Sequence, residues 1–373
     1  MLTSQLGLRL VLLLGKTVPL PASYDVMKAL TRAEVTNDSQ NGDGFQLTFA
    51  LSKNQPVDYN LILSGALDPG KRVVIGVILG ILPEVLIDGI ITHLQVAPGA
   101  DPTQSTLTVT GKDVSIMLDL EEKNEKYENQ PDFLIVEQLI LKYAQYGLLP
   151  VVTPTTDFPI SIDRIPRQNE TDFQFITRMA ARNGFVFFVE PVTFGVNKAF
   201  WGPQSRAGLP QPALTIGSEP SANLKSLHFT QDALAPVATS GTFIEPFSGT
   251  TIPIPQLPSL RIPPLSLRPA EALRKTLSRD TANKNAASAA TSLLAFATNA
   301  PDSIKGDGEV DSIRYGSVLR ARKLVGVRGA GLSYDGNYYV QRVTHTITIG
   351  DYKQSFQLSR EGTGALLPVV RPS

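Results

Sequence analysis

The side chains that could do acid–base chemistry are concentrated in one short segment of this 373-residue chain, residues 119–128. Its carboxylates are Asp119, Glu121, Glu122, Glu125 and Glu128. Two carboxylates held on either side of a glycosidic bond can hydrolyse it, one as acid and one as base or nucleophile. Lys123 and Lys126 are interleaved with the acids, however, and this pattern favours a solvated, charged helix face over a catalytic pair.

Nucleophilic and metal chemistry have few candidate residues. The chain has no cysteine, which excludes disulfides, thiolate zinc sites and cysteine nucleophiles. Its histidines are His93, His228 and His345. His93 and His345 each follow a threonine in a strand-like segment, so we interpret them as hydrogen-bonded strand residues rather than catalytic bases. We therefore predict no catalytic residue, no metal site, no cofactor and no enzymatic activity.

Two segments imitate ligand-binding loops. Residues 65–72 nearly match a phosphate-binding loop, but Arg72 stands where a Ser or Thr is required and a strand pattern follows it. Residues 37–44 imitate a calcium loop, but Thr48 occupies the position of the bidentate glutamate. The sequence predicts a Pro-Gly turn at the first segment and a hairpin turn at the second.

The overall charge points away from nucleic acid and membranes. Lys plus Arg and Asp plus Glu both number 34, so the formal net charge is zero, and only 18% of residues are charged. A nucleic-acid-binding protein is expected to carry an excess of basic residues, and this chain has none. With a net charge of zero, copies of the chain repel one another only weakly, which is compatible with assembly. The apolar runs at 10–14 and 73–91 are short or contain Pro83 and Asp88. We interpret them as buried strands, with no signal peptide and no membrane insertion.

Hydrophobic periodicity divides the chain into four parts. Alternating patterns predict a first β-barrel at 1–110, completed by about 203–235, and helix and strand patterns predict an α/β middle domain at 111–202. Eight prolines within 236–269 predict a semi-rigid extended connection. The final part, 270–373, is predicted as an Ala-rich helix over 270–298 followed by a second barrel, whose strands include 317–320.

An internal repeat links the two predicted barrels. A basic pair, an apolar strand, an Asp-Gly turn and a Thr-His strand occur in the same order at 71–93 and at 322–345. This pattern indicates a duplication that aligns His93 with His345.

Two longer segments carry a family resemblance. Residues 169–188 (NETDFQFITRMAARNGFVFF) resemble the signature "S/T-D-F-x-F-L-x-R-L-A-x-x-x-G-x-x-F" of baseplate hub proteins, and residues 335–362 resemble the closing strands of those proteins. The matching residues are Asp172, Phe173, Phe175, Arg178, Gly184, Gly336, Tyr338, His345, Phe356 and Arg360. The family includes the late control gene D proteins of contractile phages and the hub part of the type VI secretion spike protein VgrG.

The resemblance implies a fold and a set of partners. The fold would be mainly β, with two tube-like barrels and an α+β insertion. Three copies would form a homotrimer with six similar barrels, which adapts a sixfold inner tube to a threefold spike and contacts other baseplate components. The particle would be assembled in the cytoplasm of the producer cell as part of a phage tail or a related injection system.

Two other functions stay open from the sequence alone. One is a cell-wall-active enzyme of a tail tip that uses the carboxylates of 119–128. The other is a tail-associated binding module that acts as a monomer.

Overall fold

A sheet of thirteen strands connects the two ends of the chain. The computed structural model describes residues 8–51, 59–80, 83–99, 104–155, 165–217, 219–244, 250–254, 261–277 and 294–366. Within these residues, strands dominate and helices are short, which confirms the predicted mainly β fold.

The first half of the sheet is built from strands before residue 114. These strands are β1 (Leu8–Gly15), β2 (Leu20–Pro21), β3 (Leu30–Asp38), β4 (Gly44–Ala50), β5 (Arg72–Leu79), β6 (Pro83–Ala97) and β7 (Thr106–Asp113). Two short helices, α1 (Tyr24–Ala29) and α2 (Asn60–Leu63), connect them. The hairpin and the Pro-Gly turn predicted before β4 and β5 are confirmed.

The middle of the chain forms a smaller α/β layer. Its helices are a 3-10 helix (Val114–Leu118), α3 (Asp132–Leu141), a second 3-10 helix (Ala144–Tyr146) and α4 (Asp172–Arg182). Its strands are β8 (Glu122–Lys126), β9 (Leu148–Val152), β10 (Arg167–Thr171), β11 (Phe185–Thr193) and β12 (Val196–Pro203). The helices pack over these strands around Trp201, which is fully buried.

The second half of the large sheet follows. Its strands are β13 (Gln211–Thr215), β14 (Leu224–Gln231), β19 (Ile304–Asp311), β20 (Leu324–Arg328), β21 (Gly336–Thr348) and β22 (Asp351–Arg360). The short helix α6 (Ser312–Tyr315) precedes β20. Four strands and a helix lie between β14 and β19 in the sequence: β15 (Val237–Ile244), β16 (Thr251–Ile254), β17 (Ser266–Pro269), β18 (Arg274–Leu277) and α5, which includes 294–299. The strand β23 (Gly362–Ala365) follows β22.

Strand pairing groups five strands into each of two similar units. In the first unit the spatial order is β3-β4-β7-β6-β5, and in the second it is β14-β19-β22-β21-β20. If the strands of each unit are lettered A to E along the chain, both orders read A-B-E-D-C, with a short helix between B and C. Alternating residues of these strands are buried, so each unit has its own apolar core.

Four sequence predictions are wrong in their details. Residues 211–231 do not complete the first unit, because β13 pairs with β20 and β14 with β19. The segment 236–269 is not only a connection, since β15 pairs with β16 and β17 with β23. Residues 274–277 form a strand parallel to β15 instead of starting a helix, although 294–299 are helical; 278–293 lie outside the described residues. Residues 317–320 form no strand.

The first three share a cause, which is that propensity does not reveal a partner strand. An extended segment rich in Pro or Ala forms a strand when tertiary pairing satisfies its backbone, and that partner is far away in sequence. For Arg274–Leu277 the partner is Val237–Ser240, and for Ser266–Pro269 it is Gly362–Ala365.

Candidate assembly surface

The two units match at the level of individual irregularities. Strand A of each unit carries a register shift after its first paired residue, at Thr31 in β3 and at Lys225 in β14. Strand D carries one at Thr92 in β6 and at Gln341 in β21. Since bulges occupy defined places in a sheet, this coincidence supports the duplication more strongly than the sequence repeat does.

A cross-strand row of residues fixes the equivalences. In the first unit Glu34, Gln46, Thr110 and His93 face one another across strands A, B, E and D. In the second unit the same row reads His228, Asp307, Gln357 and Arg342. His93 is therefore equivalent to Arg342, so the sequence alignment of His93 with His345 is wrong by three residues. A Thr-His dipeptide in a strand carries no register information of its own.

The two units join through one continuous seam. Residues 342–348 of β21 pair antiparallel with residues 32–38 of β3, which places strand D of the second unit beside strand A of the first. The hydroxyls of Thr36 and Thr344 lie 3.1 Å apart across this seam. On its core side His345 lies opposite Val35, and both are fully buried. We call this pairing the in-chain seam.

The two strand edges that correspond to the in-chain seam, on β14 and on β6, are not covered by a neighbouring strand within the described residues. Within the described residues, the second edge of β14 pairs with no strand, and neither does the edge of β6 beyond Ile91. Val96, which is equivalent to the fully buried His345, is 40% exposed. Leu227 and Phe229, equivalent to the fully buried Ala33 and Val35, are only half-buried.

One face of the large sheet is polar across both units. The residues that alternate with the core positions are exposed or half-buried, and most are Thr, Gln or charged. They include Glu34, Gln46, Thr48, Thr108, Thr110, Gln95, Thr344, Thr346, Lys353, Ser355, Gln357, Lys305 and Asp307. The in-chain seam leaves this face uninterrupted, so the two units present a single hydrated surface.

A buried arginine holds the second unit to the first. Arg322 has a backbone φ of +63°, and its guanidinium donates to the carboxylate of Asp43 at 2.6 and 3.0 Å and to the carbonyl of Asp38 at 2.6 Å. The guanidinium also lies 4.7 Å from the ring centre of Phe188 in the middle layer. One side chain thus contacts the first unit and the middle layer from the second unit.

Asp113 adds a second carboxylate to this buried junction. Burial and the neighbouring charge of Asp43 raise the pKa of Asp113 to about 6, although Ser115 donates a hydrogen bond to it and Arg322 lies nearby. The Arg322 guanidinium therefore faces two carboxylates, those of Asp43 and Asp113. Burial of Asp113 removes the hydration that would stabilise its charged form.

Two further buried arginines fix the other junctions. Arg72 of β5 forms a bidentate pair with Asp88 at 2.8 and 2.6 Å and donates to the carbonyl of Tyr146, while Asn197 donates to Asp88 from β12. This cluster joins the first unit to the middle layer. Opening these junctions would separate Arg322 from Asp43, and it would remove the Tyr146 and Asn197 partners of the Arg72–Asp88 pair, which itself lies within the first unit.

The third arginine follows the middle layer. Arg206 is 1% exposed; its Nη2 donates to both carboxylate oxygens of Asp302 at 2.8 and 2.6 Å, and its Nη1 donates to Glu361 at 2.6 Å. Arg261 also reaches Asp302 at 3.3 Å. The cluster therefore connects the exit of the middle layer to the residues just before strand B and just after strand E of the second unit.

Five of the motif residues belong to the middle layer. Phe175 is buried and stacks on Tyr127 with ring centres 5.6 Å apart, and Phe173 meets Phe187 edge-on. Arg178 lies over Phe175 and donates to Glu170 at 2.7 Å. Gly184 follows α4 with a φ of +67°.

Asp172, the remaining member of those five, is the centre of a polar network. It is fully buried at the start of α4, and its carboxylate accepts from Lys123 at 2.5 Å, Tyr143 at 2.8 Å and Gln168 at 2.7 Å. Burial alone would raise the pKa of Asp172, but these donors outweigh it and lower the pKa. With Thr171 as the N-cap, this network fixes the start of α4 instead of presenting a reactive carboxylate.

The other five motif residues stabilise the second unit. Arg360 is buried, lies 4.2 Å from the ring centre of Tyr338 and donates to the carbonyls of Ser333, Asp335 and Gly362. Gly336 has a φ of +118°, and a Cβ there would come within 3.1 Å of the Arg360 guanidinium. Phe356 lies in the core of this unit. The fifth residue is His345.

His345 is a buried strand histidine. Its Nδ1 lies 2.9 Å from the Tyr352 hydroxyl, and burial, with the nearby charge of Arg320, lowers its pKa to about 3. It is therefore neutral at physiological pH. The ten motif residues are divided between the middle layer and the second unit and do not converge on one site.

The acidic segment is not the predicted helix face. Residues 122–126 form β8, paired with β10, and successive side chains alternate between half-buried and exposed. Asp119 accepts from the Thr171 hydroxyl at 2.5 Å, and Glu125 accepts from the Tyr127 hydroxyl at 2.9 Å. In the described part of the chain, no three His, Asp or Glu side chains are grouped to hold a metal ion, and no helix has the length and apolarity to cross a membrane.

Sequence reasoning missed all three arginine junctions. Arg322 was noted only as part of a basic pair, and Asp43 only as part of an imitation calcium loop. A buried arginine or aspartate needs a partner of opposite charge, but the sequence does not name that partner.

Comparisons with solved structures find other chains with the same fold. The chain is similar to a tail protein from Neisseria meningitidis MC58, with 14% identity, 96% of this chain and 98% of that one covered, and a TM-score of 0.61. It is similar to the 43 kDa tail protein of prophage MuSo2 from Shewanella oneidensis, with 13% identity, coverage of 95% and 99%, and a TM-score of 0.63.

A third similar structure belongs to a secretion system. This Escherichia coli protein is described as a component of the type VI secretion system with structural similarity to the T4 bacteriophage tail proteins gp27 and gp5; identity is 12%, coverage 92% and 77%, and the TM-score 0.55. No family model and no curated protein matches the chain. At these identities the likeness shows a shared fold.

Proposed function

We propose that this chain is a structural hub of a contractile tail or injection machine. Three copies form a ring of six similar β units, which seats a sixfold inner tube on one side and a threefold spike on the other. The observation that carries the proposal is the duplication: two units with the same A-B-E-D-C strand order join through the in-chain seam, and the ring needs the same join between copies.

The similar solved structures support this proposal from their own descriptions. Two are tail proteins, nearly all of whose length this chain covers, and the third is a secretion-system component compared with T4 tail proteins. A tail or injection component is the role that these descriptions share. The trimer and the adaptor role are what the resemblance to baseplate hub proteins implies, and the duplicated units of this chain are compatible with them.

The structure also suits a part that must transmit force without changing shape. The three buried arginine junctions tie the two units and the middle layer together. The polar face that crosses the in-chain seam would, in a ring, line a hydrated channel. The proposed role needs no catalysis.

Imaging of the assembled complex tests the proposal. The chain is co-expressed with the tube and spike proteins of the same particle, purified through a tagged spike and examined by cryo-electron microscopy. We expect density for three copies of the chain between a sixfold tube and a threefold spike. Co-purification of a single copy, or density at the periphery of the particle, would contradict the adaptor role.

The absence of catalysis has its own test. Asp119→Asn and Glu122→Gln each neutralise one carboxylate of the acidic segment, the first half-buried and the second exposed. We expect both variants to assemble like the wild type, and neither the wild type nor the variants to release fragments from purified peptidoglycan. Release by the wild type that either variant abolishes would establish the enzyme instead.

A further inference from the structure

We propose a residue register for the seam between two copies: residues 93–97 of β6 in one copy pair antiparallel with residues 228–232 of β14 in a second copy. The inference rests on the proposed trimer and adds the partner strands and their alignment. Gln95 then lies opposite Thr230, and Val96 opposite Phe229.

The register follows from the equivalence of the two units. In the in-chain seam, Arg342 lies opposite Asp38, the residue four positions beyond Glu34 in strand A. Arg342 is equivalent to His93, and Glu34 is equivalent to His228, through the cross-strand rows described above. The same arrangement between copies therefore places His93 opposite Asp232.

Burial supports the same alignment. Where the in-chain seam is closed, His345, Val35 and Ala33 are fully covered. Their equivalents Val96, Phe229 and Leu227 are apolar but remain partly exposed at the outer edges. Pairing in this register covers these apolar positions and satisfies the open backbone groups of both edges.

The polar side of the proposed seam is compatible as well. Gln95 and Thr230 take the places of Thr344 and Thr36, whose hydroxyls meet in the in-chain seam. His93 and Asp232 would lie directly across the seam from each other, and the two side chains do not carry like charges. Pro98, which has no N–H to donate, lies just beyond the end of β6.

Engineered cysteines measure the register directly, because the chain has no cysteine of its own. The test pair is Gln95→Cys with Thr230→Cys. The off-register control is Gln95→Cys with Ser226→Cys, which lies on the same face of β14 but roughly 14 Å further along it. Thr36→Cys with Thr344→Cys reports the in-chain seam and shows that cysteine variants fold and oxidise.

The variants are oxidised in complexes co-expressed with the tube and spike proteins and are separated on non-reducing gels. We expect disulfide-linked dimers and trimers from the test pair, at least tenfold above those from the off-register pair, and an internal disulfide from the in-chain pair. Equal cross-linking from the test and off-register pairs, in complexes that contain three copies, would overturn the register and leave the trimer standing. Complexes without three copies would overturn both.

Discussion

The two β units differ most informatively at one backbone position. Gly70 and Arg322 are equivalent: each precedes strand C with a positive φ, and each donates its N–H to a carbonyl of strand D, that of Ile91 and Val340 respectively. Glycine adopts this conformation without strain, whereas an L-residue there costs about 1–2 kcal/mol. The second unit accepts that strain because the Arg322 side chain reaches Asp43 and ties it to the first unit.

The difference shows how one duplicated unit serves two kinds of junction. The in-chain seam is reinforced by a buried ion pair at its end. The proposed seam between copies has Gly70 at the corresponding place and lacks that side chain. We therefore expect each chain to be rigid by itself, and the seams between copies to be the ones that form and open during assembly.

The largest expected effect comes from removing this reinforcement. Arg322→Gly keeps the left-handed backbone but leaves Asp43 buried without its cation, which should lower the free energy of unfolding by about 3–5 kcal/mol. Denaturant unfolding measures the loss. The double variant Arg322→Gly with Asp43→Asn should recover part of it, and an unchanged stability of Arg322→Gly would show that the ion pair does not hold the units together.

An intermediate effect depends on pH. The pKa of Asp113 is raised from 3.8 to about 6 in the folded protein. The protonated form is therefore favoured by folding, so its stabilising contribution is full below about pH 4 and is lost as pH rises through 6. Asp113→Asn should remove that loss and make the protein more stable than wild type by about 2–3 kcal/mol at pH 7.5, with little difference at pH 4.

Thermal unfolding of the wild type and Asp113→Asn from pH 4 to pH 8 checks this expectation. Asp88→Asn is the matched control, because Asp88 is equally buried but has Arg72 to itself. That control should be less stable than wild type at pH 7.5. A variant Asp113→Asn that is destabilised at neutral pH would mean that its charge supports the junction.

The smallest effect tests the equivalence itself. Gly70→Ala places a Cβ in open space, but at a φ of +85°. The strain should lower the free energy of unfolding by about 1 kcal/mol, without any change in assembly. Chemical denaturation measures it, with Lys71→Ala as the control for the neighbouring side chain. A loss above about 3 kcal/mol would indicate that Gly70 has a packing role that Arg322 does not share.

The sequence revealed the strands and helices whose patterns are local. The cap at Thr171, the apolar face of α4 and the alternation in β4 are patterns of this kind, because each depends only on neighbouring residues. The repeat was also visible, but its alignment was not: the Thr-His match suggested His93 with His345, whereas the bulges at Thr92 and Gln341 show the true register.

What the sequence did not reveal depends on distant pairs. The partnership of Arg322 with Asp43 spans 279 residues, and that of Arg206 with Asp302 spans 96. Nothing in the composition around either arginine names its partner. The in-chain seam could not be seen in the sequence either, since β3 and β21 each show ordinary alternation and nothing in either strand indicates that the two pair.

The most direct test of the central claim is the number of copies in the assembled complex. Native mass spectrometry of the chain co-expressed with its tube and spike proteins should give a complex that contains three copies of the 40.3 kDa chain. A chain that remains a monomer in the presence of both partners, and never co-purifies with either, would contradict the account of a hub built from six repeated units.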